Sequence, residues 1–361
     1  MKIVFCYQFC SLGGCETVLS TRLHELLALG VDAHMLFFDG GEGERLFGDL
    51  GERMRICRKR AEADAMLAAV NPDFLIALDT PRVLQHLEGR PAGMKFIYEV
   101  HSTYPETLKR LRLLMRYDLA AIFTPSRAQR QLIGSLLGQS LRCPIEVVPN
   151  PLRRSFSEHR EPPHYERPIV LWVGRLDPHK NWRAYLEICR ELHSRNRDME
   201  YWLVGNSMTS NDEKLRLWEE VKQSGLANRF RWLPQVEYDK MDRLYRFVGG
   251  SGGCLISTSK QESFGMAAAE AMACSCPVVV PDIGGFRDFV QHEETGLRYP
   301  SDQYATAVEC ILRLIDDAPL RSRIVLAGAD RVRNEYSARP AVMKLVETLE
   351  NLPKSTVESA A

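Results

Sequence analysis

Two doubly wound α/β domains are the architecture this sequence predicts, and three observations predict it. Short apolar runs alternate with stretches of helical periodicity through the first 150 residues. The alternation stops at Pro149-Asn150-Pro151 and a polar, proline-bearing stretch, then restarts near Ile169. A chain of 361 residues suits two domains, each able to bury its own core.

Taken in order, residues 2–7 form an apolar strand, and Gln8 to Cys15 a loop holding Gly13-Gly14. Val18, Leu19, Leu23, Leu26 and Leu27 then recur at helical spacing up to Gly30, a helix stop. Strands at 31–38, 74–78, 95–100, 119–124 and 145–148 interleave with helices at 61–70, 81–87, 105–117 and 126–137. After the linker, strands at 169–173, 200–204, 230–233, 254–258 and 278–280 interleave with helices at 181–194, 212–224, 238–247 and from 266. Helices at 302–315, 320–336 and 340–349 close the chain. Parallel sheets wound on both faces follow from such alternation. The expected domains are 1–156 and 166–336.

Composition narrows the function. Lys plus Arg and Asp plus Glu both number 47, so no global field favours nucleic acid. No apolar run approaches the ~20 residues of a membrane span. The opening residues are too short for a signal peptide and read as a first buried strand. Of ten cysteines, Cys6, Cys189, Cys254 and Cys310 fall inside core elements, as expected of free thiols in a reducing cytoplasm. Cys6, Cys10 and Cys15, or Cys274 and Cys276, lack the spacing of a metal site, so no metal is expected.

The chemistry concentrates in the second domain. Glu262 and Glu270 stand eight positions apart around Ser263-Phe264-Gly265-Met266, which reads as strand, loop, helix. The carboxylates suit sugar hydroxyls, and the amides of Phe264, Gly265 and Met266 at a helix start suit an anion. Arg175 and Lys180 lie on the Gly-turn loop after the 169–173 strand, where fixed cations would neutralise a diphosphate. In isolation, the same Arg-x4-Lys reads as two solvated cations. Gly13 and Gly14 open the first helix, where glycine allows close approach of an anion to backbone amides. Without a G-x-G-x-x-G, a nicotinamide cofactor is unsupported.

Glu262 and Glu270, with Phe264-Gly265 between them and Gly284-Gly285 after the next strand, resemble the E-x7-E signature of retaining family-4-type glycosyltransferases of the GT-B fold. The resemblance implies two Rossmann-like domains facing across a cleft, with the last helix, about 340–352, returning to the first. It implies that Arg175 and Lys180 grip the phosphates of a nucleotide-diphospho-sugar, that Glu262 binds the transferred sugar, and that Glu270 binds the ribose. His101, at the end of a first-domain strand, would contact the donor sugar near the reacting carbon. Asn206 and Val236 lie where the family reads the base through backbone groups, which leaves UDP and GDP both open. The nucleotide-sugar is then a substrate rather than a cofactor. No Asp-x-Asp pair is present, so the reaction is expected to be metal-independent.

The acceptor would be a glycan, a lipid-linked glycan or a small molecule. Asp288 stands three residues after Gly285 where relatives often carry Glu, and Ser102-Thr103-Tyr104 follow His101 where many relatives carry Asp, which leaves the acceptor contacts open. Lys109, Arg112 and Arg116 share one face of the 105–117 helix. A solvated face is the simpler reading, and peripheral contact with an anionic membrane is the alternative. Two other functions stay open: a nucleotide-sugar epimerase of the same fold, which needs no acceptor, and a nucleotide-sugar-binding protein without turnover.

Overall fold

A computed structural model describes residues 1–86, 93–158, 160, 165–195, 197–205 and 211–353, with only the backbone at Asn211. The chain divides into two compact units, Met1–Pro151 with Ala338–Ala361, and Leu152–Ser337.

The first unit runs β1 (Lys2–Phe9), α1 (Gly14–Ala28), β2 (Asp32–Asp39), β3 (Met54–Ile56), α2 (Arg60–Val70), β4 (Phe74–Leu78), β5 (Lys95–Glu99), α3 (Pro105–Lys109), α4 (Leu111–Leu114), β6 (Ala121–Thr124), α5 (Arg127–Leu137) and β7 (Ile145–Val147). Its seven strands pair in parallel in the order β3-β2-β1-β4-β5-β6-β7. The central strands are buried along their length, for instance Phe74–Leu78, which is why they read as continuous apolar runs. The 105–117 helix expected from sequence is two short helices, α3 and α4. Leu108, Leu111 and Leu114 keep the three-residue spacing that buries one face. The short edge strand β3 was not expected, because three residues alternating around exposed Arg55 carry no period.

The second unit runs α6 (Arg154–Ser157), β8 (Ile169–Gly174), α7 (Trp182–Ser194), β9 (Glu200–Gly205), α8 (Asn211–Gln223), β10 (Phe230–Leu233), α9 (Met241–Gly250), β11 (Cys254–Ile256), α10 (Met266–Ala273), β12 (Val278–Pro281), α11 (Phe286–Phe289), β13 (Leu297–Tyr299), α12 (Tyr304–Asp316) and α13 (Ala318–Tyr336). Six parallel strands pair in the order β10-β9-β8-β11-β12-β13. Strand order reverses between β8 and β11, which pair through Val170 and Cys254. In doubly wound sheets, ligands sit outside the carboxyl ends of the strands at such a reversal. The unit begins at Leu152, where 166 was expected, and the first unit's main stretch ends at Pro151, five residues before the expected 156. Leu152 donates to the Tyr336 carbonyl at 2.7 Å and Phe156 is buried beside Tyr238 and Tyr245, which ties 152–156 to this unit.

The last helix, α14 (Ala338–Glu350), belongs to the first unit. Val342, Leu345 and Leu349 pack into the core formed by Leu19, Leu23 and Leu26 of α1 with Ile3 and Phe5 of β1. A stripe at spacing i, i+3, i+7 on α14 is the sequence cause of that return. All ten cysteines are free thiols.

Candidate functional site

In the second unit the loops after β8 and β11 meet at the strand-order reversal. Lys180 Nζ donates to both oxygens of Glu262, at 3.0 and 2.7 Å. Both side chains are partly accessible, at 27 and 13%. The loop carrying Lys180 is built by Asp177. One of its oxygens accepts the amides of His179 and Lys180 at 2.9 and 2.8 Å, and the other accepts Arg175 Nε at 3.0 Å. This Asp-capped turn is what an Asp-Pro pair after a strand favours. Asn181 ends the loop in the left-handed conformation, φ 56°, and its side chain donates to Tyr304.

The two loops are joined by Thr258, which follows β11. Its hydroxyl lies 3.1 and 2.9 Å from the carbonyls of Lys180 and Asn181, and it accepts Trp172 Nε1 at 2.9 Å. With the main-chain bond from Lys260 to the His179 carbonyl, Thr258 fixes where Lys180 begins its reach.

Glu262 is placed from behind by glycine. Gly284 has φ +47°, and a Cβ there would fall 2.0 Å from the Glu262 carbonyl oxygen. A Cβ on Gly285 would fall 2.4 Å from the Ser263 carbonyl oxygen, and the Gly285 amide donates to Glu262 O at 3.0 Å. The pair therefore backs the Glu262–Phe264 loop. Gly265 starts α10 with φ 105°, and any side chain there would strike the Phe286 ring. The Phe264 side chain is core, against Phe289 and Tyr336, so only its backbone is placed for recognition. Ser263 and Met266 are half-buried, the latter as the first residue of α10.

Glu270, in the second turn of α10, is buried and accepts hydroxyl hydrogen bonds from Tyr238 at 2.8 Å and Tyr245 at 3.0 Å. Burial pushes its carboxyl up to about 7, against the pull of the two tyrosines. Glu262 and Glu270 thus have different partners, a cation for the first and two phenols for the second. Arg175 is half-exposed and shares Asp177 with the Lys180 amide. Val236 follows β10, half-buried against the core. Asn206 lies outside the described residues.

In the first unit His101 follows β5. Its Nε2 meets Glu99 Oε1 at 2.7 Å, and Arg22 Nη1 of α1 meets Glu99 Oε2 at 2.7 Å. Arg22 and Glu99 are 1 and 0% exposed, and the His101 side chain 7%. Burial alone would raise Glu99, yet the Arg22 and His101 cations hold it down at about 2. Burial alone would lower His101, yet Glu99, aided by Cys15, lifts it to about 10. His101 is accordingly an imidazolium at neutral pH. Its amide donates to Asp79, whose carboxyl burial pushes up to about 6 and whose backbone is left-handed, φ 41°.

Gly13 and Gly14 sit at the start of α1, exposed. A Cβ on Gly13 would crowd Glu16 Oε2 at 2.9 Å, whereas one on Gly14 meets nothing. Glu16 is buried and closes the loop by accepting the amide and hydroxyl of Ser11.

Asp177, Thr258, the Tyr238–Tyr245 pair and the Arg22–Glu99 pair went unread in the sequence. Asp177-Pro178 offered a turn signal. The others come from distant positions and carry no local pattern.

The two doubly wound sheets and the loops at their reversal define the GT-B glycosyltransferase class of fold. Residues 155–331 match the family described as Glycosyl transferases group 1. Among curated relatives, an alpha-D-kanosaminyltransferase of Streptomyces kanamyceticus is 27% identical over 177 residues, 49% of this chain and 44% of that one. A phosphatidyl-myo-inositol mannosyltransferase of Mycobacterium leprae is 30% identical over 183 residues, 50% of this chain and 46% of that one. The chain therefore spans less than half the length of these relatives. Among solved structures, Anabaena HepE in complex with UDP and glucose superposes with a TM-score of 0.83 at 19% identity, covering 98% of this chain and all of that one. Sucrose-phosphate synthase from Thermosynechococcus elongatus gives 0.77 at 17% identity, covering 98 and 99%. These two likenesses establish the fold.

Proposed function

We propose that the protein is a retaining, metal-independent glycosyltransferase that moves a hexosyl group from a UDP- or GDP-sugar to a glycan, lipid-linked or small-molecule acceptor. The observation that carries this reading is the Lys180–Glu262 pair at the carboxyl ends of β8 and β11. An ammonium has three N–H donors. Two are directed at Glu262, which leaves one for a donor phosphate. Relief of charge on the leaving diphosphate by Lys180 and Arg175 is electrostatic catalysis that needs no metal. Glu262 accepts from sugar hydroxyls and offsets positive charge at the anomeric carbon. Glu270, aligned by two phenols, receives the ribose hydroxyls. The departing phosphate takes the acceptor's proton on the face it leaves from, so positioning replaces a protein base.

His101 is assigned a donor-sugar contact on the family resemblance, and as a fixed cation it acts as a donor and not as a base. The HepE complexes with UDP and with UDP-glucose support a uridine donor by analogy. Lys109, Arg110, Arg112 and Arg116 are exposed on α3, α4 and the turn after them, and weak contact with an anionic bilayer is proposed for this face. Among the described residues no helix is long and apolar enough to cross a membrane.

A thermal-shift panel of UDP- and GDP-sugars identifies the donor, because a ligand that binds only the folded state raises stability with log concentration over Kd. Product anomeric configuration by NMR then tests retention, and full turnover in EDTA tests metal independence. Silence of every UDP- and GDP-sugar in both binding and hydrolysis sinks the reading.

A further inference from the structure

Helix α10 begins beside Glu262 and ends, at Ala273–Cys274, on a cavity of about 300 Å³ at the opposite edge of the second unit's sheet, where the chain enters β11 and β12. Four arginines line it, Arg160, Arg246, Arg321 and Arg333, and Glu158 is the one carboxylate among the lining residues. Part of that charge is structural. Arg246, 4% exposed, donates to the carbonyls of Ser155, Phe156 and Glu158 and to Cys274 Sγ. Arg321 Nη2 donates to the Gly249 and Gly253 carbonyls at 2.8 Å, and Arg333 Nε to the Ala273 carbonyl at 2.9 Å. These contacts cap the carboxyl ends of α9 and α10.

The capping does not balance the charge. A helix end carries about half a negative charge. Two such ends, with Glu158, which accepts from Arg160 at 2.6 Å, Asp242, 4.0 Å from Arg160, and the exposed Asp330 near Arg333, offset most of the four guanidinium charges. Arg321 Nη1 is buried and has no hydrogen-bond partner among the described residues. Burial and the neighbouring Arg246 also weaken the hold of Arg333 on its proton. A buried guanidinium with an unfilled donor is costly unless an acceptor completes it. Guanidinium forks match phosphate oxygens, and the volume lies at the small end of ligand sites.

We propose that this cavity is a second anion site, distinct from the candidate donor site, that binds a small phosphomonoester through Arg160, Arg321 and Arg333. Its occupant sits against the carboxyl end of the helix whose other end follows Glu262.

The test is calorimetric titration of the full chain with inorganic phosphate and with glycerol 3-phosphate at constant ionic strength. Saturable binding is expected, with the same Kd in Lys180→Ala, which removes the candidate donor-phosphate lysine. Arg321→Gln would also uncap α9, so the informative variants are Arg160→Gln and Ser322→Glu, both at exposed positions on the cavity. Each should raise Kd tenfold or more, the scale of one charge-assisted hydrogen bond or of an opposing charge. Vesicles carrying phosphatidic acid offer the same headgroup chemistry. Co-sedimentation blocked by Ser322→Glu assigns a lipid source, and binding of glycerol 3-phosphate alone a soluble one. No saturation by about 10 mM, where binding is too weak to be a built site, overturns the proposal. So does binding unchanged in Arg160→Gln and Ser322→Glu, or binding lost in Lys180→Ala. Failure here leaves nucleotide-sugar binding untouched, and the reverse also holds.

Discussion

Replacing Glu99 by Gln should turn His101 from a fixed imidazolium into a neutral imidazole at pH 7. Glu99 receives His101 on one oxygen and Arg22 on the other, each at 2.7 Å, with all three side chains buried. His101 stands at about 10, well above an ordinary histidine. Two unit charges about 4 Å apart attract by about 4 kcal/mol at an effective dielectric of 20, and this attraction opposes the burial that alone would lower His101. In Glu99→Gln the attraction is gone, and burial together with the unpaired Arg22 pushes His101 below 6.5. The sign follows from linkage. A raised histidine contributes stability that is complete below its unfolded value of about 6.5 and is lost as pH climbs through about 10. The assay is a ring-carbon NMR titration of the full chain, with His101→Gln to assign the resonance. Removing one member of a buried pair costs about 3–5 kcal/mol, a large share of typical stability. The double variant Arg22→Met/Glu99→Gln should recover most of that loss and still leave His101 neutral. If His101 in either variant continues to titrate above about 8, nearer its paired value than the ordinary one, Glu99 is not what holds the charge.

Lys180→Ala should lower donor turnover about a hundredfold or more at saturating donor, the scale for losing one leaving-group donor, and near-normal kcat would remove Lys180 from that role. Glu270 has a raised carboxyl, so its contribution to stability is complete below about 4.5 and is lost as pH rises through about 7. Glu270→Gln should therefore gain on the parent by up to about 3 kcal/mol between pH 5 and 8 in urea unfolding, and a flat difference would mean that Glu270 is ionised throughout. Gly284→Ala forces a Cβ onto the Glu262 carbonyl and should cost at least about 2 kcal/mol and weaken donor binding, whereas unchanged affinity would show that the 262–264 loop is not held from this side. Thr258→Val removes the hydroxyl that ties Trp172 to the Lys180 turn, and should cost about 1–3 kcal/mol in denaturant midpoint with a higher KM for donor.

Much of this molecule was legible because its strands are buried on both faces and its helices are amphipathic. Residues 74–78 read as a strand because each is apolar, whereas the return of α14 to the first unit was implied only by the family resemblance. What stayed hidden has a common physical cause. β3 and β13 are three-residue edge strands, too short to show a period, and they exist because a longer neighbour offers an unfilled edge. The long basic helix expected at 105–117 is two short ones joined at Arg110, because leucines every third residue suit short turns as well as a continuous helix.

The candidate site divides along the same line. Lys180, Glu262 and Glu270 were readable because each sits on a loop or helix start with a local signature of glycine, charge and apolar run. Their partners were not, because the pairing is made by strand order: β8 and β11 are neighbours although some eighty residues separate Lys180 from Thr258. That distance also sets what each residue does. Placed alone on its loop, Lys180 is a solvated cation. Placed across from Glu262, it is held to a carboxylate with one donor to spare. Arg175, as strongly signalled in the sequence, remains half-exposed on Asp177, so of the two proposed phosphate cations Lys180 is the less exposed. A parallel Arg175→Ala variant should accordingly lose less turnover than Lys180→Ala at saturating donor, with most of its effect in KM. Equal losses of kcat would mean that Arg175 leaves Asp177 when donor binds and shares the leaving group equally.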